Sequence, residues 1–199
     1  MSTPTTARGA QTRARIVAAA REVFEELGFL DTRVAHIARR AGVAYGSFYT
    51  YFPSKEAVFI EVADDLFEEM TRHDLLPPAG PRPAARVRRA NRAYYEAYRR
   101  NARLMAIIEQ VATFHTEFRE LRSKHRAEFV GRSAAAIERW QKAGLVHADL
   151  DPEMTARALA AMIDNSLYLW LVQGEDTPDT RRLLDTLDLL TIHALGLEP

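Results

Sequence analysis

Between residues 45 and 52 the sequence sets hydroxyl groups side by side with little apolar surface. The polar positions are Tyr45, Gly46, Ser47, Tyr49, Thr50 and Tyr51, and only Phe48 and Phe52 form an apolar stripe. Short donors and acceptors can bond to base edges and phosphate oxygens, and a glycine lets backbone approach a ligand closely. The pattern therefore favours a binding face, with packing of the tyrosine rings as the alternative.

Two predicted helices precede this segment and would position it. Apolar residues recur at spacings of three and four from Thr12 to Leu27, and Gly28 ends that helix. Thr32 is predicted to cap a short helix from Val34 to Ala41, and Gly42 permits a tight turn into a helix over 45–51. Two short helices joined in this way form a helix-turn-helix, which presents its second helix to the DNA major groove.

The rest of the chain also has helical periodicity, so the predicted fold is all-α with about nine helices. Ser54 is a natural cap for a fourth helix ending near His73, and the proline-rich stretch Pro77–Pro83 is a loop. Later helices are predicted over 84–100, 102–113, 118–143, 152–173 and 178–195. Asp151-Pro152 and Thr177-Pro178 mark two of the starts.

Composition excludes several classes of protein. The chain has 199 residues, no cysteine, and 27 basic against 27 acidic residues, so disulfides, thiol nucleophiles and cysteine-based metal sites are excluded. The zero net charge hides blocks of opposite sign, with +3 over residues 1–56 and +7 over residues 82–103. No secretory signal or membrane-spanning run is visible, so we expect a cytoplasmic protein with no membrane partner.

The segment from Arg13 to Phe59 resembles the DNA-binding region of the tetracycline-repressor (TetR) family of transcriptional regulators. The likeness is carried by Ile16–Ala20, Val23-Phe24, Gly28-Phe29, Thr32, Val34–Ala38, Ala41–Val43 and Gly46–Phe59. It implies an N-terminal three-helix DNA-binding domain followed by a larger helical-bundle domain for ligand binding and dimerisation. It also implies a homodimer on a near-palindromic operator of double-stranded DNA, usually repressing, and released by a small molecule.

The resemblance also implies which residues contact DNA. Tyr45, Ser47, Tyr49 and Thr50 would face base edges or flanking phosphates, with Gly46 allowing close approach. Tyr49, Tyr51 and Lys55 would hold the DNA backbone. Thr32 and Arg33 would add phosphate contacts at a helix N-terminus. One departure from the family pattern is Ala44, which stands where a capping serine or threonine is common.

The predicted domains are a flexible tail over 1–11, the helix-turn-helix domain over 12–54, and the ligand-binding and dimerisation domain over 55–199. The effector is expected to be small and largely apolar or aromatic, since pockets between helices are mostly apolar. Candidate ligand-binding residues are the aromatic, methionine and embedded polar side chains of this domain: Tyr94, Tyr98, Met105, Glu109, Phe114, His115, Phe118, Trp140, Met162, Asn165 and Trp170. No cofactor is predicted.

The last two predicted helices carry more apolar surface than one chain would cover. We therefore expect a two-fold four-helix interface, built from both helices of each subunit. The candidate interface residues are Leu159, Met162, Ile163, Leu167, Leu169, Leu184, Leu187 and Ile192.

Two other function classes compete with a DNA-binding regulator. A helical adaptor could use the same apolar helices to bind another protein. An enzyme is less favoured, because the six histidines lack metal-type spacing and no glycine-rich phosphate loop or catalytic triad can be argued. The arginine-rich stretch from Arg82 to Arg103 could pair with the acidic segments, bind an anionic effector, or contact DNA.

Overall fold

The computed structural model describes residues 6–71, 83–174 and 179–198, and within them the protein has eight α-helices and no strand. The helices are α1 (Ala7–Asp31), α2 (Val34–Ala41), α3 (Tyr45–Phe48), α4 (Lys55–Thr71), α5 (Pro83–Ala112), α6 (Thr116–Lys142), α7 (Pro152–Leu171) and α8 (Thr180–Leu195). The all-α prediction is confirmed. The expected count of about nine is one too high, because the helices predicted over 84–100 and 102–113 are continuous as α5.

Asn101 lies at the position where the sequence predicted the end of one helix and the start of the next. Its side-chain amide donates to the Ala97 carbonyl one turn earlier, at 2.8 Å, and the residue is buried. The side chain thus bonds within the helix, and the backbone of α5 continues through this position. The neighbouring positions hold no glycine or proline, so nothing in the sequence interrupts the backbone there.

Other helix boundaries also differ from the predictions. Helix α1 begins at Ala7, where Thr6 Oγ1 accepts from the Gly9 amide at 3.1 Å, so residues 7–11 are helical although a flexible tail was predicted over 1–11. Helix α3 ends at Phe48 and continues as a turn through Tyr51. Pro83 is the first residue of α5. The predicted features at His73, Pro77, Arg82 and Thr177-Pro178 lie outside the described residues.

The described chain forms two compact units. Unit 1 contains the residues up to Glu68 together with Arg103–Leu121, and unit 2 contains Glu69–Ala102 together with the residues from Arg122 onward. Helix α4 up to Glu68 and residues 103–121 therefore pack in the same unit as the helix-turn-helix. The functional boundaries predicted at residues 11 and 54 remain predictions.

Unit 1 has an aromatic core. The rings of Phe24 and Phe118 each lie within 5 Å of the Phe59 ring, at 4.7 and 4.9 Å between centroids, and Phe29 lies 4.9 Å from it. Edge-to-face and tilted ring contacts of this kind add to the free energy gained by burial alone. This cluster holds the end of α1 and the start of α4, the two elements on either side of the helix-turn-helix.

Unit 2 is a helical bundle with an aliphatic core. Val130, Ile137, Ile192 and Leu195 are all nearly inaccessible to solvent and belong to one packed cluster. A buried polar contact joins α5 to α8, where Asn91 Nδ2 donates to Asp188 Oδ1 at 2.7 Å. In the part of the chain that the structure describes, no helix is long and apolar enough to cross a membrane.

Candidate functional site

The turn between α2 and α3 is set by Gly42. This glycine has φ +64°, a left-handed conformation that disfavours residues with a Cβ atom. The turn is closed by two backbone bonds, from the Gly42 amide to the Arg39 carbonyl and from the Val43 amide to the Ala38 carbonyl, at 3.2 and 3.0 Å. Together they fix the direction in which the chain leaves α2 and enters α3.

Helix α3 is held by its apolar stripe and exposes its polar face. Phe48 and Phe52 are completely buried, and the Phe52 amide donates to the Phe48 carbonyl at 3.0 Å. Gly46, Ser47 and Thr50 are exposed. The sequence interpretation of a narrow packed stripe opposite an exposed polar face therefore agrees with the burial pattern.

Tyr45 and Tyr49 form a joined pair on this exposed face. They are 57% and 45% exposed, their rings meet edge to face with centroids 5.5 Å apart, and their hydroxyl oxygens lie 3.0 Å apart. The hydrogen bond with Tyr45 raises the pKa of Tyr49, so the phenol stays neutral. A neutral phenol keeps a proton that it can donate to a phosphate or a base.

Two side chains that were predicted to contact DNA form hydrogen bonds within the protein. Thr32 is 2% exposed, and its hydroxyl donates to the Gly28 carbonyl at 2.6 Å. Lys55 Nζ donates to the Phe29 carbonyl at 2.8 Å and lies 4.4 Å from the centre of the Phe29 ring. These side chains hold the loop after α1 and the start of α4.

The start of α2 also differs from the prediction. Arg33, not Thr32, is the residue before the helix, and its amide donates to Nδ1 of His36 at 3.3 Å. The Arg33 side chain is exposed, as a phosphate contact requires. Ala44 precedes α3 without a side-chain cap, as its sequence implies, and the Ser47 amide donates to the Ala44 carbonyl at 2.9 Å.

Other cations of unit 1 have acidic partners. Arg40 contacts Glu22 and Glu26 at 2.8 and 2.7 Å, and these carboxylates raise the pKa of its guanidinium. Arg13 pairs with Glu61 and lies over the Phe52 ring, 4.7 Å from its centre. Arg39, which the sequence analysis did not single out, is exposed on α2. The basic groups facing outward are therefore fewer than a count of arginines suggests.

Unit 2 contains a cavity of about 360 Å³ between α5, α6, α7 and α8. Its walls are mainly apolar, and they include Arg86, Phe129, Arg132, Arg139, Trp140 and Ile163. The residues on α6 recur at helical spacing, since Phe129, Arg132, Ala136 and Trp140 all lie on one face. That spacing is the sequence signal that could have identified this wall.

No group of three or more acidic or histidine side chains suited to a metal ion occurs among residues 6–71, 83–174 and 179–198.

Comparison with known proteins decides which class of molecule carries this geometry. Residues 16–62 match the family model described as "Bacterial regulatory proteins, tetR family". Residues 87–195, more than half of the chain, match the model described as "Transcriptional regulator EthR, C-terminal domain". The chain belongs to the TetR family of bacterial regulatory proteins. It is a ligand-responsive, DNA-binding transcriptional regulator.

Individual relatives of this TetR-family regulator are also transcriptional regulators. The HTH-type transcriptional regulator YdgC of Bacillus subtilis is 27% identical over 186 residues, covering 86% of this chain and 87% of the relative. The regulator EthR of Mycobacterium tuberculosis is 26% identical over 175 residues, covering 86% and 81%. The structure of GusR from Salmonella enterica shares the fold, with a TM-score of 0.80 at 24% identity over 98% of this chain and 100% of that one.

Few of the ligand-binding residues predicted for this TetR-family regulator line the cavity of unit 2. Trp140 does, and Tyr94, Tyr98, Met162, Asn165 and Trp170 are not among its walls. Tyr94 instead donates from its hydroxyl to Asp164 at 2.9 Å, and burial raises the pKa of that phenol.

The other predicted ligand-binding residues belong to unit 1. Phe118 and Met105 are buried there, and His115 packs edge to face with Phe118, with ring centroids 5.2 Å apart. Glu109 is half-buried and Phe114 is exposed.

The residues predicted to form the dimer interface of this regulator lie in different environments. Leu167, Leu184, Leu187 and Ile192 are at most 3% exposed within a single chain, so they belong to the core and not to its surface. Leu159 and Ile163 line the cavity, and Met162 and Leu169 are half-buried. The large apolar side chains exposed on α8 are Leu189 and Leu190, at 46% and 50%.

Proposed function

We propose that this regulator is a repressor that binds a near-palindromic operator as a dimer and releases it when a small, largely apolar effector fills unit 2. The observation that carries the DNA-binding part is the exposed hydroxyl face of α3, held outward by the buried Phe48 and Phe52 rings. A face of short donors and acceptors on the second helix of a helix-turn-helix suits the major groove.

Within this proposal the DNA-contacting groups have different roles. Tyr45, Ser47, Tyr49 and Thr50, with Gly46, make the direct contacts with bases and nearby phosphates. Arg33 and Tyr51 contact the DNA backbone. Thr32 and Lys55 act as positioning residues, because their polar atoms bond to the Gly28 and Phe29 carbonyls.

The release mechanism is a population shift between two arrangements of the DNA-binding helices. Helix α4 begins at Lys55, whose ammonium group holds it to the end of α1. Helix α5 contributes residues to both units. Effector binding in unit 2 is proposed to act through these two helices and to change the separation of the two recognition helices in the dimer, which must match the half-site spacing of the operator.

The test is fluorescence anisotropy with duplex DNA taken from the region flanking the protein's own gene. Wild-type protein should bind one such duplex specifically, and Tyr49→Ala should weaken binding by about tenfold or more, the loss typical of a base contact. Phe114→Ala is the matched control, since it removes a similarly exposed aromatic ring from unit 1 and should leave affinity unchanged.

Lys55→Ala is a poor test of DNA contact, because it also removes a bond and a ring contact inside unit 1. Equal affinity of wild type and Tyr49→Ala would contradict the assignment of α3 as the reading helix. Failure of the wild type to bind any flanking duplex at low salt would contradict the operator proposal itself.

A further inference from the structure

The charge on the walls of the unit 2 cavity is one-sided. Arg86, Arg132 and Arg139 line it, and within the described residues no aspartate or glutamate does. The nearby carboxylate of Asp188 is not part of the wall, and it accepts a hydrogen bond from Asn91, which is. The charged side chains on this wall are thus all arginines, whose N–H groups can donate to an oxyanion.

Arg86 and Arg132 are half-buried in the wall, whereas Arg139 is exposed. The Arg86 guanidinium carbon lies over the Trp140 ring, 5.7 Å from its centre. Electrostatic attraction is stronger away from water. Arginine also presents a planar fork of donors that matches the two oxygens of a carboxylate or phosphate.

The rest of the wall is apolar and fixes the size of the occupant. Phe129, Ile137, Leu159 and Ile163 contribute rings and branched aliphatic groups. A cavity of about 150 Å³ lined by such residues holds one benzene ring. The 360 Å³ here therefore suits an apolar body of about two rings, or an acyl chain of similar volume.

We infer that the effector of this protein is an amphipathic anion: an oxyanion head group, carboxylate or phosphate, on an apolar body of that size. The head group is bound by Arg86 and Arg132, from facing helices α5 and α6, while exposed Arg139 marks the side of the cavity open to solvent. The inference rests on the proposed function, because it names the effector class for the site assumed there.

The direct test is isothermal titration calorimetry with three probes that share a naphthalene body. These are 1-naphthaleneacetate, its neutral isostere 1-naphthaleneacetamide, and 1-naphthyl phosphate. We expect at least one anion to bind about tenfold or more tightly than the amide, the discrimination typical of a charge-assisted hydrogen bond. The acetate and the phosphate distinguish the two head groups. Equal affinity for the amide, or no binding of either anion, would overturn the inference.

Arginine variants locate the effect. Arg86→Gln and Arg132→Gln should each lower the affinity for the preferred anion by about tenfold and leave the amide unaffected. Arg157→Gln is the matched control, because Arg157 lies on α7 in an exposed pair with Glu153 and does not line the cavity. If a variant fails to fold by circular dichroism, the charge preference of the wild type still decides the question.

These titrations need no DNA, so the two proposals fail separately. Loss of charge preference with intact operator binding would overturn only the effector class. Preserved charge preference without operator binding would overturn only the proposed function. Anion binding that disappears equally in all three arginine variants would show a diffuse surface effect and contradict this site.

Discussion

At the scale of single residues, the Tyr45–Tyr49 pair behaves as one hydrogen-bonding unit. Each phenol has one proton to donate, and the 3.0 Å contact uses one of the two protons internally. The pair therefore offers DNA a single hydroxyl proton. Sequence alone could place both tyrosines on one face, because they are four residues apart, but it could not show that they bond to each other.

This arrangement predicts non-additive effects on operator binding. Tyr45→Phe and Tyr49→Phe should each lower affinity, and the double variant should lose little more than the worse single variant. The expected coupling is about 0.5–3 kcal/mol, the range found for residues in contact. A double-mutant cycle measured by anisotropy gives this number. Purely additive losses would show that the two hydroxyls contact DNA independently.

Asp188 provides a residue-scale test in the core of unit 2. Burial raises its pKa above the usual 3.8, although the Asn91 hydrogen bond and the charges of Arg88 and Arg92 lower it. The folded protein thus holds this proton more tightly than the unfolded chain does. Stability contributed by this group falls as pH rises from 3.8 through the raised pKa, since folding takes up protons in that window.

Asp188→Asn should therefore gain stability relative to wild type as pH rises through the window, and should match it more closely below pH 3.8. The asparagine oxygen can still accept the bond from Asn91. Thermal unfolding across a pH series measures the difference. Glu153→Gln on α7 is the control, since it loses an exposed pair with Arg157 and Glu153 is not among the charges that shift the pKa of Asp188. A pH-independent difference between wild type and Asp188→Asn would contradict the assignment.

Residue type and position did not reveal the bonding partners of two side chains next to the helix-turn-helix. Lys55 and Thr32 were predicted from family resemblance to hold phosphates, yet their polar atoms bond to carbonyls near the end of α1. The partner of a side chain depends on which backbone groups the tertiary fold brings near it. For that reason residue type and position could identify the helix-turn-helix but not the use of each polar group around it.

At the scale of elements, Gly28 and Gly131 both lie within the bounds of helices but differ in backbone conformation. Gly28 interrupts α1 with φ 75° and ψ 173°, a conformation that is nearly specific to glycine, and it lets the chain turn before Phe29 enters the core. Gly131 lies within α6, where its backbone is helical and alanine would be a better residue. At both positions an added Cβ would meet nothing within 4 Å, so sterics do not separate them.

The backbone alone therefore predicts opposite outcomes for one substitution. Gly28→Ala should lower the free energy of unfolding by about 1–3 kcal/mol, the cost of a strained conformation. Gly131→Ala should raise it by up to about 1 kcal/mol. Urea denaturation measures the free energy of unfolding of both variants. A fixed protein concentration keeps any contribution of oligomerisation the same throughout. A neutral Gly28→Ala would mean that the chain can leave α1 without the glycine conformation.

Helix positions were largely predictable because apolar periodicity and glycine stops are local. The break predicted near residue 101 was wrong, since Asn101 bonds back to Ala97 and α5 continues. The site was predictable only in part. The exposed face of α3 follows from local polarity, whereas the cavity walls come from four helices distant in sequence.

At the scale of the whole molecule, several arginines of the basic stretch have partners within the protein. In the arginine-rich stretch, Arg99 pairs with Glu96 at 3.0 Å and Arg100 with Glu69 at 3.6 Å. Arg103 Nη2 donates to the Glu26 carbonyl at 3.1 Å, near the end of the first part of α1. These contacts show that part of the positive charge of this stretch is bound to acidic side chains and backbone carbonyls of the same chain.

The hydrophobicity of the sequence did not distinguish side chains of a dimer interface from side chains of the core. Four of the leucine and isoleucine positions predicted to form the dimer interface are buried in one chain, because α7 and α8 must first cover the core of unit 2. What remains exposed on α8 includes Leu189 and Leu190. In a two-fold interface each such side chain meets the same surface of its partner, so one substitution acts twice.

We therefore expect Leu190→Glu to convert the proposed dimer into a monomer, because each subunit would bury a carboxylate in the interface without a partner charge. Light scattering coupled to size-exclusion chromatography measures the mass of the assembly. Leu145→Glu, at a similarly exposed leucine in the turn after α6, is the control and should stay dimeric. The Leu190→Glu variant should also lose most of its affinity for a two-half-site operator, because the two recognition helices then bind without a fixed spacing. A dimeric Leu190→Glu protein with full operator affinity would place the interface on another face of the molecule.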